Sequence, residues 1–203
     1  MLSVPGREIY LVAGGVDEPA CYLVQDKEAG GILINTPAFD EALLAAIQAA
    51  GGARFVFLPS RLGVRDLDRW RAALEAEAMA YEPEVEAIAG SIDITLDNKS
   101  KLTRTIDFLP MSGRTRGSCA LRLKNLPGVV FFGPILEPGP DGWPTLVQHA
   151  DDHSFESRMF GALGLQDVTF DYAFTDDFVP GATRFGPGAA AAVNAAVHAA
   201  LEL

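Results

Sequence analysis

Short apolar runs alternate with amphipathic stretches along this chain, and the alternation predicts most of its elements. Residues 21–26 (CYLVQD) and 31–35 (GILIN) read as strands separated by Lys27, Glu28, Ala29 and Gly30. A polar turn ending in glycine between two such runs predicts a hairpin. Thr36 and Pro37 then offer an N-cap and a first-turn proline for a helix over 39–50, with Leu43, Leu44 and Ile47 on one face and a stop at Gly51–Gly52. FVFL (55–58) reads as a buried strand followed by a loop over 59–65. Asp66 opens a second helix, in which Leu67, Trp70 and Leu74 recur at helical spacing.

The second half continues the pattern. A short helix follows Glu82–Pro83 and breaks at Gly90, and strand-like runs occupy 92–96, 102–109 and 119–123. VVFF (129–132) is another continuous apolar strand, and the proline- and glycine-rich stretch 134–144 predicts a long irregular loop. A helix over 154–163, a strand over 169–174 and a closing helix over 188–201, with Val193 and Val197 inward, complete the reading. Strands and helices in both halves predict an α/β sandwich, read as one domain over 1–203.

Composition narrows the class. With 203 residues, 49% hydrophobic and 21% charged, the chain suits a soluble globular domain. At this length roughly 70% of the unfolded surface can be buried, so neither metal nor disulfide is needed to hold the fold. Cys21 and Cys119 lie in apolar runs and read as buried reduced thiols, a disulfide being the alternative. Pro5, Gly6, Arg7 and Glu8 interrupt any signal-peptide core, and no stretch has the 18 or more apolar residues of a membrane span. A cytoplasmic protein with no membrane partner is expected. A net charge of -11 argues against nucleic acid, whose phosphates it would repel.

Ala20-Cys21-Tyr22-Leu23-Val24 and Leu33-Ile34-Asn35-Thr36-Pro37 are followed by the helix ending in two glycines, the strand FVFL, and the loop Pro59-Ser60-Arg61-Leu62-Gly63-Val64-Arg65 before RDLDRW (65–70). Farther on come Gly113-Arg114-Thr115-Arg116-Gly117-Ser118, then Phe132-Gly133-Pro134, then Thr175-Asp176-Asp177-Phe178. In order and spacing this resembles the metallo-β-lactamase superfamily across nearly the whole chain. The resemblance implies a four-layer αββα sandwich and a zinc-dependent hydrolase of esters, thioesters, lactams or phosphodiesters. The family's ligand positions fall here on Ser60, Leu62, Val64 and Arg65, then Arg114, Pro134 and Asp177. The register of 59–66 is open by two residues, but no histidine precedes His149. Leucine, valine and proline offer no donor, and a guanidinium puts positive charge where a cation would sit. No cofactor is therefore expected.

Several fates for the vacated pocket follow. Leu62, Val64 and Pro134 would plug it with apolar atoms. Arg114 and Asp177, opposite in sign at two lost ligand positions, would pair across it, or each would be solvated separately. Alternatively Arg61, Arg65, Arg114 and Arg116 converge on a small anionic ligand, since guanidinium groups bind phosphate and carboxylate in bidentate fashion. Elsewhere, His149, Asp152 and His153 would make a new metal site if they lay on one helix, whereas Asp152 as an N-cap would separate them. Only that alternative brings zinc back. Ser60, Ser112 and Ser118 lack a matching base, and Ser118 is expected to satisfy backbone groups in its turn. Asp176 and Asp177 read as an acid/base pair or as a solvated turn.

Two functions remain from the sequence. One is a protein of this fold that has lost its zinc machinery and binds a small anionic ligand or a protein partner. The other is a hydrolase with a rebuilt, atypical site. A homo-oligomer burying the old cleft is a third, purely structural possibility.

Overall fold

The computed structural model describes residues 1–15 and 18–202. Six strands make the first sheet, in the order β1 (Glu8–Gly15), β2 (Glu18–Asp26), β3 (Gly30–Ile34), β4 (Phe55–Leu58), β5 (Glu77–Tyr81) and β6 (Ile94–Leu96). β1 to β3 form an antiparallel meander, and β3 to β6 run parallel. The second sheet has the order β12 (Tyr172–Thr175), β9 (Val129–Gly133), β8 (Cys119–Leu123) and β7 (Ile106–Pro110). β9 and β12 are parallel, and the others antiparallel.

Register explains why the first hairpin is apolar on both faces. Tyr22 lies opposite Ile34 and Val24 opposite Ile32, while Leu23 lies opposite Leu33. Side chains alternate across a strand, so the first set joins the core between the sheets and the second an outer core. Helices α1 (Glu41–Ala49) and α2 (Leu67–Leu74) cover that outer face with Ile47, Leu67 and Trp70. On the other side α3 (Phe155–Leu163) and α4 (Ala189–Leu201) cover Ala120, Val130 and Phe132 with Ala162, Val193 and Val197. The layers run helix, sheet, sheet, helix, as the resemblance implied. Between the sheets, Phe174 stacks on Phe131 at 5.1 Å and on Phe185 at 5.2 Å between ring centroids, contacts that each add about 0.5–1.5 kcal/mol beyond area burial.

Several boundaries differ from the sequence reading. Helix α1 begins at Glu41 because Asp40 caps it, accepting from the Leu43 amide at 2.7 Å. Thr36 instead accepts from the Arg65 amide at 3.0 Å, tying the chain after β3 to the loop after β4. β7 starts at Ile106 rather than 102, and β12 at Tyr172 rather than 169. The stretch 134–144 is not wholly irregular, since β10 (Glu137–Pro138) pairs with β11 (Pro144–Thr145). Cys21 and Cys119 are free, buried thiols. No helix among the described residues is long and apolar enough to cross a membrane.

Candidate functional site

Where the strands of the two sheets end, the chain leaves a cleft of about 310 Å³. The start of β2 and the loops after β4, β9 and β12 form its walls, with the turn before β8 and His149. Leu62, Arg65, Arg114, Pro134 and Asp177 line it, so this half of the sequence-derived pocket is brought together. Glu18, Pro19, Glu137, His149 and Asp176 complete it.

The other expected residues go elsewhere. Ser60 is buried and caps the single helical turn Arg61–Gly63, its Oγ accepting from the Leu62 amide at 3.1 Å. Val64 is not a plug: it bridges to Thr36 and packs in the outer core with Leu67 and Trp70. Arg61 points to Glu84, with Nη1 to Oε1 at 3.4 Å, and Arg116 lies beside Glu82, Pro83 and Glu86. The four arginines therefore do not converge; Arg65 and Arg114 alone reach the cleft. Nor does Arg114 pair with Asp177. Its Nη1 lies 3.1 Å from Asp151 and 3.7 Å from Asp152, because the turn 113–118 sits against the segment preceding α3.

The histidine cluster does not form either. Helix α3 is capped by Ser154, whose Oγ accepts from the Ser157 amide at 3.1 Å, so 149–153 is loop. Asp152, expected as the cap, accepts from the His149 amide at 3.0 Å and from Arg158 Nη1 at 2.8 Å. The His153 amide reaches the Arg114 carbonyl at 3.5 Å, while His149 Nε2 meets Glu137 Oε1 at 2.5 Å in the cleft.

A polar layer under the cleft joins the two sheets. Asn35, just past β3, adopts φ 63°, a left-handed conformation that asparagine tolerates better than most residues. Its Nδ2 donates to the Ala20 carbonyl at 2.9 Å and to Asp176 Oδ1 at 2.6 Å. The loop after β4 passes so close that a Cβ on Gly63 would lie 2.0 Å from Asn35 Oδ1. Tyr22 donates to the Thr175 carbonyl at 2.6 Å, the Ala20 amide to the Asp176 carbonyl at 2.7 Å, and the Cys119 amide to the Pro59 carbonyl at 2.9 Å. All of these except the Asn35–Ala20 bond cross between the sheets.

Asp176 is the unusual group. Only 4% of its surface is exposed, and its Oδ2 has no partner. Burial raises its pKa to about 7, the Asn35 hydrogen bond opposing and the nearby Asp177 and Glu137 charges assisting. Burial also raises Asp177, against the attraction of His149 and Arg114. Both cysteine thiols are pushed up by burial and are not activated nucleophiles. In the sequence Asp176 reads as an acid/base partner of Asp177 or as part of a solvated turn, and its burial is not expected there.

A sign follows for stability. Asp176 titrates near 7 when folded and near 3.8 when unfolded, so the native state holds its proton longer. Stability from this group is complete below about pH 4, falls as pH rises, and has been lost by about pH 8. Each unit of displacement is worth about 1.4 kcal/mol. Allowing for relaxation around the charged form, Asp176→Asn is expected to gain about 2 kcal/mol at pH 8 and almost nothing at pH 4. Urea unfolding at both pH values measures this; a gain that is equal or larger at pH 4 contradicts the assignment.

No family model matches this sequence, and no curated protein matches it. Solved structures do. The B3 metallo-β-lactamase BLEG-1 superposes with a TM-score of 0.73 at 12% identity, over 92% of this chain and 98% of that one. A metallo-β-lactamase of Cronobacter sakazakii with a HARLDQ motif gives 0.67 at 14% identity, over 96% and 92%. BJP-1, a subclass B3 enzyme of Bradyrhizobium japonicum, gives 0.65 at 14%, over 96% and 92%. The fold is that of the metallo-β-lactamases.

The metallo-β-lactamase fold implies zinc, and the side chains of this cleft do not fit it. Leu62 and Pro134 bring no donor, and Arg65 and Arg114 bring positive charge. His149 Nε2 is engaged by Glu137, and Asp176 Oδ1 by Asn35. Among the described residues no three or more His, Cys, Asp or Glu side chains are grouped as a metal ion requires.

Proposed function

We propose that this protein of metallo-β-lactamase fold has lost the zinc site and uses the old cleft to bind a small polar molecule. The observation that carries the reading is the lining itself. Positions matching the family's ligands hold Leu62, Arg65, Arg114 and Pro134, yet the cleft remains open at about 310 Å³, at the small end of ligand pockets, which run about 300–1,000 Å³.

Metal content and chelation test it. Purified protein is expected to carry well under one equivalent of zinc, iron or manganese, and its melting temperature to move by less than about 1 °C in excess chelator. A stoichiometric metal whose removal lowers the melting temperature by many degrees contradicts the proposal.

One contact favours the second reading, a hydrolase with a rebuilt site. His149 held by Glu137 at 2.5 Å inside the cleft is the arrangement of a general base oriented by a carboxylate. Turnover of a chromogenic cephalosporin, a nitrophenyl ester or a nitrophenyl phosphodiester that His149→Ala abolishes would establish that reading and displace the first.

A further inference from the structure

Within the proposed role as a binding protein, we infer that the cleft recognises a small amphoteric molecule, a free α-amino acid or a close analogue, rather than a simple anion. The inference rests on the ligand-binding reading above and goes further by naming the chemical class. Charge is the deciding quantity. Two guanidinium groups, Arg65 and Arg114, share the cleft with carboxyl groups of Glu18, Glu137, Asp176 and Asp177. An inorganic anion would gain from the first pair and be repelled by the rest, and a simple cation would meet the reverse. A molecule carrying both signs satisfies both sets at once, provided its charges are arranged to match.

The side chains differ in how much they have left to offer. Arg114 is only 14% exposed and pairs most closely with Asp151, which is 71% exposed and held by nothing rigid. The other acid near it, Asp152, is already held by the buried Arg158 at 2.8 Å. A ligand carboxylate can therefore displace Asp151 from Arg114 at little cost, since an ion pair with one exposed partner adds little stability. At the opposite pole Asp176 is buried with Oδ2 unpaired. A buried acceptor left without a donor is unfavourable, and an ammonium group, with three donors, would relieve it. Asp177, its exposed neighbour in the cleft wall, would take a second donor. The assignment is thus carboxylate to Arg114 and Arg65, ammonium to Asp176 and Asp177.

Calorimetric titration with matched probes decides it. A panel of free α-amino acids is first screened by thermal shift, and the best binder is then titrated beside its N-acetyl derivative, its amide and inorganic phosphate. The free amino acid is expected to bind at least tenfold more tightly than either capped form, each lost pole costing about 1.4 kcal/mol or more, and phosphate is expected not to bind. Asp176→Asn, whose fold is expected to be at least as stable as the parent's, should lose tenfold or more for the free amino acid and little for the amine-blocked form. Equal binding of phosphate or of the N-acetyl derivative overturns the amphoteric assignment while leaving a ligand-binding cleft. A panel in which no amino acid binds overturns it as well, as does an Asp176→Asn variant with unchanged affinity. A stoichiometric metal would instead defeat the reading beneath it.

Discussion

Replacing Arg158 by methionine is expected to destabilise this protein by about 3–5 kcal/mol. Arg158 sits on α3 and is completely buried. Its Nη1 donates to the Val147 carbonyl at 2.6 Å and to both oxygens of Asp152, at 2.9 and 2.8 Å. Nη2 donates to the Ile135 carbonyl at 2.8 Å and approaches Glu137 at 3.5 Å. One planar cation thus fastens three separate pieces of the 135–152 segment onto a helix. Methionine matches much of the volume but leaves Asp152, 3% exposed, with weaker partners, and leaves two carbonyl oxygens without donors. Breaking such a pair from one side leaves an uncompensated buried charge. Against a typical domain stability of about 5–15 kcal/mol, this removes roughly a fifth or more. Urea denaturation would measure it, with Arg158→Lys falling between parent and Met variant, because a single ammonium restores the charge but not the fork. A loss under about 1 kcal/mol would show that the segment is held by its apolar contacts instead.

Glu84→Ala is expected to cost about 2–4 kcal/mol and to loosen the cleft. Glu84 is fully buried in the short 3-10 helix Glu82–Ala87 that follows β5. One carboxylate oxygen accepts from the Arg61 amide at 2.9 Å and the other from the Gly117 amide at 2.8 Å. It therefore cross-links the loop after β4 to the turn before β8, two of the segments that the family resemblance assigns to metal ligands. Hydrogen bonds to a charged acceptor contribute about 1.5–3 kcal/mol each, and removing the acceptor leaves both amides unpaired in the interior. Hydrogen exchange gives the specific readout. The amides of Arg61 and Gly117 should exchange far faster in the variant, while those in β8 and β9 change only with the global stability. Glu84→Gln keeps one acceptor oxygen and should lose about half as much. Unchanged exchange at those two amides would refute the cross-link.

Much of the architecture was legible because it is local or periodic. The β2–β3 hairpin follows from two apolar runs around a glycine-ended turn, and both faces are buried because each run is continuously apolar. β5 was not legible: EAMAY contains no β-branched residue, and parallel pairing to β4 and β6 makes it a strand. β1 was missed as well, since its side chains are mostly half-buried and give no clear alternation. Helix caps went wrong where two candidates stood close together. Asp40 competed with Thr36, and Ser154 with Asp152, and the partners of these side chains decided each case: Arg65, 29 residues on, claimed Thr36, and Arg158, 6 residues on, claimed Asp152.

The cleft divides along the same line. From the residues alone came the absence of histidine before His149 and the apolar or cationic character of the expected ligand positions, since residue identity is all that those statements require. Which of those positions face one another was beyond reach. Glu84 drew Arg61 away, the outer core took Val64, and the turn before α3 captured Arg114, each through a partner more than twenty residues distant. Asp176 shows the division most clearly. Its sequence neighbourhood states only that a carboxylate follows a strand; burial between two sheets gives it an unpaired oxygen and a pKa near 7. Solvation is a property of the whole fold, and no local pattern along the chain encodes it.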